Sequence, residues 1–191
     1  FLAGLVALAP PPRARQSDQG AVEPAGADFS GFVFKIQANM DPKHRDRMAF
    51  IRVCSGQFEK DMLVYHPRLG RTIRMSRPHR LFAAERETVA DAYPGDVIGL
   101  SNPGTFTIGD TVCTGKPLRF APITAFQPEQ FARLHNQNIE KAKQFNKGVA
   151  QLVEEAVIQV FYPTGLVRRA PILGAVGALQ FDVVVARLAA E

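Results

Sequence analysis

Cysteine is nearly absent: Cys54 and Cys113 are the only two in 191 residues. No CxxC pair and no Cys/His ligand spacing occurs, which argues against a structural zinc site. Two thiols on separate predicted strands read as reduced, packed side chains. Long apolar runs are also missing. No stretch approaches the roughly 18 residues that a membrane-spanning helix needs, so no membrane partner is expected. The opening FLAGLVALAP is apolar but short, and it lacks the basic flank of a signal peptide. The chain begins on Phe1 instead of Met, so it is expected to be a piece of a longer protein. What remains, 46% hydrophobic and 21% charged residues, suits a soluble globular chain with a sizeable core and argues against wholesale disorder.

Negative charge is scarce in the middle. Residues 29–123 hold fourteen Lys or Arg against nine acids, while residues 1–28 and 124–191 are close to neutral. The net charge of +5 therefore belongs to one segment, and a polyanionic partner is expected there. Between Lys43 and Arg86 arginine dominates over lysine, and a guanidinium forks onto phosphate in two bonds where an ammonium makes a point contact.

Residues 29–123 read as short strands between turn signals. Phe32, Phe34, Ile36 and Ala38 alternate with Val33, Lys35 and Gln37, the period of a half-buried strand. Asp41-Pro42 turns the chain, Lys43, His44, Arg45 and Arg47 crowd the loop, and Met48 to Val53 returns. Further strands are predicted at 61–66, 72–75, 97–100, 105–108 and 111–114, with a turn at Arg68 to Arg71 that leaves Arg74 nearby. Strands this frequent without a convincing helix predict an antiparallel β-barrel. Phe1 to Ala9 has helical spacing that Pro10 to Pro12 ends, and Arg13 to Asp28 reads as a linker.

The last third changes character. After a short strand predicted at 123–126, Asn138 is a predicted N-cap, and Ile139, Ala142, Phe145, Val149, Leu152, Val153 and Ala156 recur at helical spacing. Strands at 157–162 and 172–176 follow, then a helix carrying Phe181, Val184, Val185 and Leu188 on one face. The β-α-β-β-α order predicts a partial ferredoxin-like α/β domain over 124–191, short of its last strand. The expected organisation is thus 1–28 as a preceding domain's end and linker, 29–123 as barrel, and 124–191 as α/β domain.

The residues that carry the strand pattern are also distinctive as a sequence. Phe29 to Met40 (FSGFVFKIQANM), His44-Arg45-Asp46-Arg47 and Arg52-Val53-Cys54-Ser55-Gly56 closely resemble the segment that follows the GTPase domain in the bacterial peptide chain release factor 3 family of translational GTPases. The likeness continues at Tyr93 to Leu100, Ile108 to Thr111, Lys147-Gly148, Gln151-Leu152, Glu154-Glu155, Gln159 to Phe161, Gly174 to Gly177 and Leu179 to Leu188. Ala156 departs from it, standing where the family usually has Gly after the paired glutamates, so a slightly different helix-to-strand junction is expected there.

The resemblance implies a ribosome-docking and relay portion of a termination GTPase that drives class I release factors off the ribosome. It implies the ribosome, small-subunit rRNA, a small-subunit protein and the protein's own GTPase domain as partners, with class I release factors engaged indirectly in the cytoplasm. Lys43, His44, Arg45 and Arg47, with Arg68, Arg71 and Arg74, are the expected rRNA contacts, made to the sugar–phosphate backbone. The corresponding part of an elongation-factor-G-like or ribosome-protection GTPase is the alternative.

Catalytic readings are weak beside this. Cys54 with His44 or His66 as base would suit a nucleophile. Glu154 and Glu155 are adjacent on a helix and do not face each other, and Asp41, His44 and Asp46 are flanked by cations that oppose metal binding. No metal or cofactor is expected on this chain, because GTP and Mg belong with the GTPase domain the family carries upstream. No GxxxxGK followed by Ser or Thr occurs, and Asn146-Lys147-Gly148 is followed by Val149 where a guanine-reading NKxD motif needs Asp. Phosphate release from GTP should therefore stay at the buffer level when this chain is added alone; turnover above that level would contradict the reading.

Overall fold

The computed structural model describes residues 1–38, 47–82, 85–136, 138–162 and 170–189, with side chains left aside at 80–82 and 85–86. The chain forms two compact units, Phe1–Ile123 and Thr124–Glu191. In the first, a short helix α1 (Leu2–Leu8) stops before the three prolines, and none of its residues is buried. Twelve strands follow: β1 (Arg15–Ser17), β2 (Gly20–Val22), β3 (Ser30–Ala38), β4 (Arg47–Ser55), β5 (Phe58–Glu59), β6 (Leu63–His66), β7 (Arg71–Arg74), β8 (Pro78–Phe82), β9 (Glu85–Thr88), β10 (Asp91–Ala92), β11 (Val97–Ser101) and β12 (Thr111–Cys113). Eight of them build one antiparallel sheet in the order β7-β6-β12-β3-β4-β11-β8-β9. The sheet curls until Val33, Ile36, Ile51, Val64, Ile98 and Val112 share a single core.

Both ends of that sheet reach the same turn. Lys60 N–H donates to Ala90 O just past β9, Asp61 N–H donates to Met75 O just past β7, and Met75 N–H returns to Met62 O. Residues 60–62 thus cover edges that would otherwise display unpaired backbone groups. The architecture is of the antiparallel barrel kind that strand frequency predicts, a curled sheet whose two ends meet that turn.

Three local expectations change. First, the alternation along β3 breaks at a bulge. Val33 pairs with Ile51 and Lys35 with Phe50, so Phe34 is the extra residue. Val33 and Ile36 consequently both enter the core, Phe34 lies outside beside Phe50, and Phe32 is buried against Phe120. Second, the stretch read as a linker carries the β1–β2 hairpin. Arg15 places its guanidinium 3.7 Å from the Phe32 ring centre, a cation–π contact, and Asp18 and Arg119 exchange bonds. Charged and aromatic partners far apart in sequence give this hairpin its place, and no periodicity announces them. Third, residues 105–108 form no strand; Asn102 and Asp110 hold this segment as an ordered loop through backbone bonds.

The second unit has strands β13 (Gln130–Arg133), β14 (Gln159–Phe161) and β15 (Ile172–Ala175), a 3-10 turn (Ile139–Lys141), and helices α2 (Ala142–Glu154) and α3 (Leu179–Ala189). Asn138 caps the 3-10 turn by accepting from Glu140 N–H at 3.0 Å. The antiparallel order β13-β15-β14 is that of a split βαβ unit. Leu152, Ile158, Leu173 and Val184 form its core. The first strand lies at 130–133 and not at 123–126, since the backbone of 130–133 pairs with β15 in full register.

Ala156, expected on the helix, instead follows it, since α2 ends at Glu154. It adopts the left-handed conformation at φ +56°. Val157 N–H bonds Leu152 O and Ala156 N–H bonds Val153 O, the paired bonds of a Schellman cap, with Val157 packed near Leu152. The junction expected to differ instead keeps the geometry that glycine favours, at a steric cost of about 1 kcal/mol for alanine. Ala156→Gly should raise the stability of this unit by roughly that amount, read as a shifted denaturant midpoint; an unchanged or lower midpoint would show that the left-handed cap carries no strain.

Candidate nucleic-acid interface

Between β6 and β7 the chain turns at 67–70, and beyond β11 it loops through 102–110. One carboxylate joins the two. Asp110 is 5% exposed, and its Oδ2 accepts from Thr107 N–H at 2.7 Å, Arg68 Nη2 at 2.8 Å and His66 Nε2 at 3.1 Å, while Oδ1 accepts from Arg68 Nε at 2.6 Å. Burial by itself would push this acid's pKa up. The bonds from Arg68, His66 and the Thr107 amide outweigh it and hold the carboxyl well below the usual carboxylate range. His66 is fully buried, stacked on Phe106 with ring centres 5.7 Å apart.

Asn102 fixes the far side of the loop. Its Oδ1 accepts from the N–H groups of Gly104 and Phe106, and its Nδ2 donates to Phe106 O. Arg68 adds a bond from Nη2 to Thr105 O. The loop is therefore braced by side chains throughout, which is how an irregular segment meets its backbone hydrogen bonds.

The expected rRNA contacts separate into three groups. Lys43, His44 and Arg45 lie outside the described residues. Arg68 is half exposed, yet it is engaged with Asp110 and Thr105 O, which makes it first a brace. Arg71 and Arg74 stand exposed on β7, and neither is in an ion pair or side-chain hydrogen bond with a described residue. Arg47 joins their neighbourhood: its guanidinium lies 3.8 Å from where a Cβ on Gly104 would stand, and its carbonyl accepts from Asn102 N–H. The structure thus brings Arg47, Arg71 and Arg74 to the surroundings of one loop. It adds Arg77, which sequence reasoning counted in the arginine run without singling it out; its place after β7 became visible only with the curl of the sheet. Nothing in the sequence shows which distant donors converge on Asp110 and Asn102.

The catalytic alternatives that rest on described residues lose their geometry; Asp41, His44 and Asp46 lie outside those residues. Burial pushes the Cys54 thiol up, against the pull of Arg15 and Arg52, so it is no activated thiolate. His66, one of its two candidate bases, is committed to Asp110. Glu155 is held by a two-bond contact from Arg187 at 3.0 and 3.2 Å, which ties α3 to the end of α2. Among the described residues no helix is long and apolar enough to cross a membrane.

An antiparallel barrel with an arginine-bearing loop face, followed by a split βαβ domain, defines the class of a translation-factor second domain with its successor. The family model for Elongation factor G domain 2 matches residues 28–115, and that for Class II release factor RF3, C-terminal domain, matches 120–191. Peptide chain release factor 3 from Gloeobacter violaceus is 58% identical over the whole chain, as is that from Acaryochloris marina, and the alignments cover 36% and 35% of those proteins. A crystal structure of a Thermus thermophilus protein shares the fold, with a TM-score of 0.73 at 19% identity over 87% of this chain and 24% of that one. The chain belongs to the peptide chain release factor 3 family and spans about a third of the length of these relatives.

Asp110 generates a directional expectation. Its carboxyl is depressed on folding, so the stabilisation it gives is complete above the ordinary carboxylate pKa of about 4 and is lost as pH falls below it. Asp110→Ala should destabilise the first unit by about 3 kcal/mol at neutral pH and flatten the acid limb of its stability curve below about pH 4. Equal acid sensitivity in both proteins would remove Asp110 from that role.

Proposed function

We propose that this chain is the ribosome-docking and relay portion of a translation termination GTPase that acts in the cytoplasm. In this reading the barrel holds its arginine face against small-subunit ribosomal RNA, touching the sugar–phosphate backbone through Arg47, Arg71 and Arg74. Lys43, His44 and Arg45 extend the same contact, and Arg68 braces the loop beside it. The α/β unit meets a small-subunit protein. Together they relay changes to a GTPase domain that binds GTP and Mg, and so act on class I release factors without touching them.

The observation that carries this reading is the 58% identity along the entire chain to peptide chain release factor 3 proteins, with Arg71 and Arg74 standing uncompensated among the described residues where the barrel presents its loops. A phosphate backbone is the chemistry such a face suits, because arginine binds phosphate in a fork and needs no base edge. The second reading, the same portion of an elongation-factor-G-like GTPase, draws on the match over 28–115. The match of residues 120–191 to a release factor C-terminal domain favours the first.

Phosphate contacts release counterions, so affinity must fall steeply with salt. Binding of the chain to purified small ribosomal subunits, followed by sedimentation, should weaken by at least about tenfold between roughly 50 and 200 mM monovalent salt. Affinity that stays constant across that range would exclude RNA docking and point to a protein-only contact.

A further inference from the structure

A groove of about 500 Å³ lies between β7 with its following turn and the loop after β11. Arg71, Arg74 and Arg77 line it, and no acid among the described residues does. Leu100 and Phe106, both nearly buried, supply apolar lining, and Ser76 adds a hydroxyl. Most other arginines whose contacts are known in this unit have internal work: Arg15 stacks on Phe32, Arg68 grips Asp110, and Arg119 bonds Pro67 O. The three groove arginines have no ion pair or side-chain hydrogen bond with a described residue. Three like charges around one cavity repel each other and are relieved only by an anion.

Two further observations mark the groove as built. Arg77 sits in the left-handed region at φ +53°, a conformation that at Gly56, Gly70 and Gly115 is taken by glycine. An arginine there is sterically strained relative to glycine, and backbone strain of this kind gathers at functional sites. The opposite wall is fixed in advance, since Asn102 holds the Gly104 and Phe106 amides and Arg68 holds Thr105 O. A preformed wall lowers the ordering cost of binding.

Resting on the docking reading above, we infer that this groove is a recessed seat for a ribose–phosphate segment of RNA. The phosphates meet Arg71, Arg74 and Arg77, and the sugar's carbon face lies against Leu100 and Phe106. Arg77 is a contact residue of the site, while Asn102 and Arg68 are positioning residues for its wall. Recognition is of backbone: the arginines fork onto phosphate, and the described lining holds no Asn, Gln, Asp or Glu to read a base edge beside them.

Arg77→Gly separates charge from folding, because it removes the guanidinium and relieves the strained backbone together. The full chain and this variant are compared with Arg77→Lys and with Arg133→Gln, which removes one charge from the second unit. Affinity is measured for small ribosomal subunits and for a short oligouridylate at two salt concentrations. Arg77→Gly should keep or raise the melting temperature, weaken both affinities by about tenfold, and reduce the salt slope by about one. Arg77→Lys should recover part of the loss, and Arg133→Gln should change little. Salt-dependent subunit binding that Arg77→Gly leaves within about twofold overturns the groove and spares the docking reading. Salt-independent binding by the unmodified chain sinks the docking reading itself. Displacement of oligouridylate by inorganic pyrophosphate at matched phosphate concentration would assign the groove to free anions and overturn the RNA assignment.

Discussion

The arginine face depends on one buried carboxylate. Asp110 is surrounded by Arg68, His66 and the Thr107 amide, and these donors come from the β6–β7 turn, the end of β6 and the loop before β12. A buried charge is costly when unpaired and stabilising only when its lone pairs are met. Four donor contacts meet them here. They also fix the geometry of two loops that would otherwise be free to shift, and the groove wall at Thr105 and Phe106 rests on the same brace. Electrostatics thus shapes the site from inside before it acts on any partner outside.

The first unit solves the edge problem of an antiparallel sheet by bending and bridging. Bending needs local irregularity, and the bulge at Phe34 supplies it within the longest pairing of the sheet. The consequence is chemical as well as geometric. Val33 and Ile36, three positions apart, both reach the core, and Phe34 is turned outward with Lys35 and Phe50. Bridging is left to the turn at 60–62, whose backbone bonds reach the residues just past both ends of the sheet. Asp61 takes φ +65° there, an uncommon conformation for which Asp is better suited than most residues.

Much of this architecture was legible from local pattern. The helix over 142–154, the strands near 159 and 172 and the frequent short strands of the first unit all follow from periodicity and turn residues. What stayed hidden depends on distance in sequence. The β1–β2 hairpin owes its place to Phe32, Phe120 and Arg119, and the 102–110 loop owes its order to Arg68 and His66, more than thirty positions upstream. The bulge flips a strand's inward face without any change in its composition. For the site, the arginine run was visible but not its division of labour. Arg68 and Arg77 look alike as letters, and only the fold makes one a brace and leaves the other facing a groove.

That division gives a net charge of +5 its physical meaning. Arginines that grip carboxylates contribute little long-range field because their charge is balanced, while one that stacks on a ring keeps its charge but has its geometry committed inside the fold. Arg187 on Glu155, Arg68 on Asp110 and Arg15 on Phe32 belong to that class. Their removal would act on folding. Arg71, Arg74 and Arg77 are held on a rigid sheet and its turn without internal partners among the described residues, so their charge projects into the groove and beyond it. A surface built this way attracts a polyanion at long range and offers it a shaped place to stop. The first effect fades within a Debye length of about 8 Å at physiological salt, and the second does not. In the proposed seat the arginines and the apolar lining of Leu100 and Phe106 would act at different ranges on one ligand, and position along β7 and its following turn would then count for more than total charge.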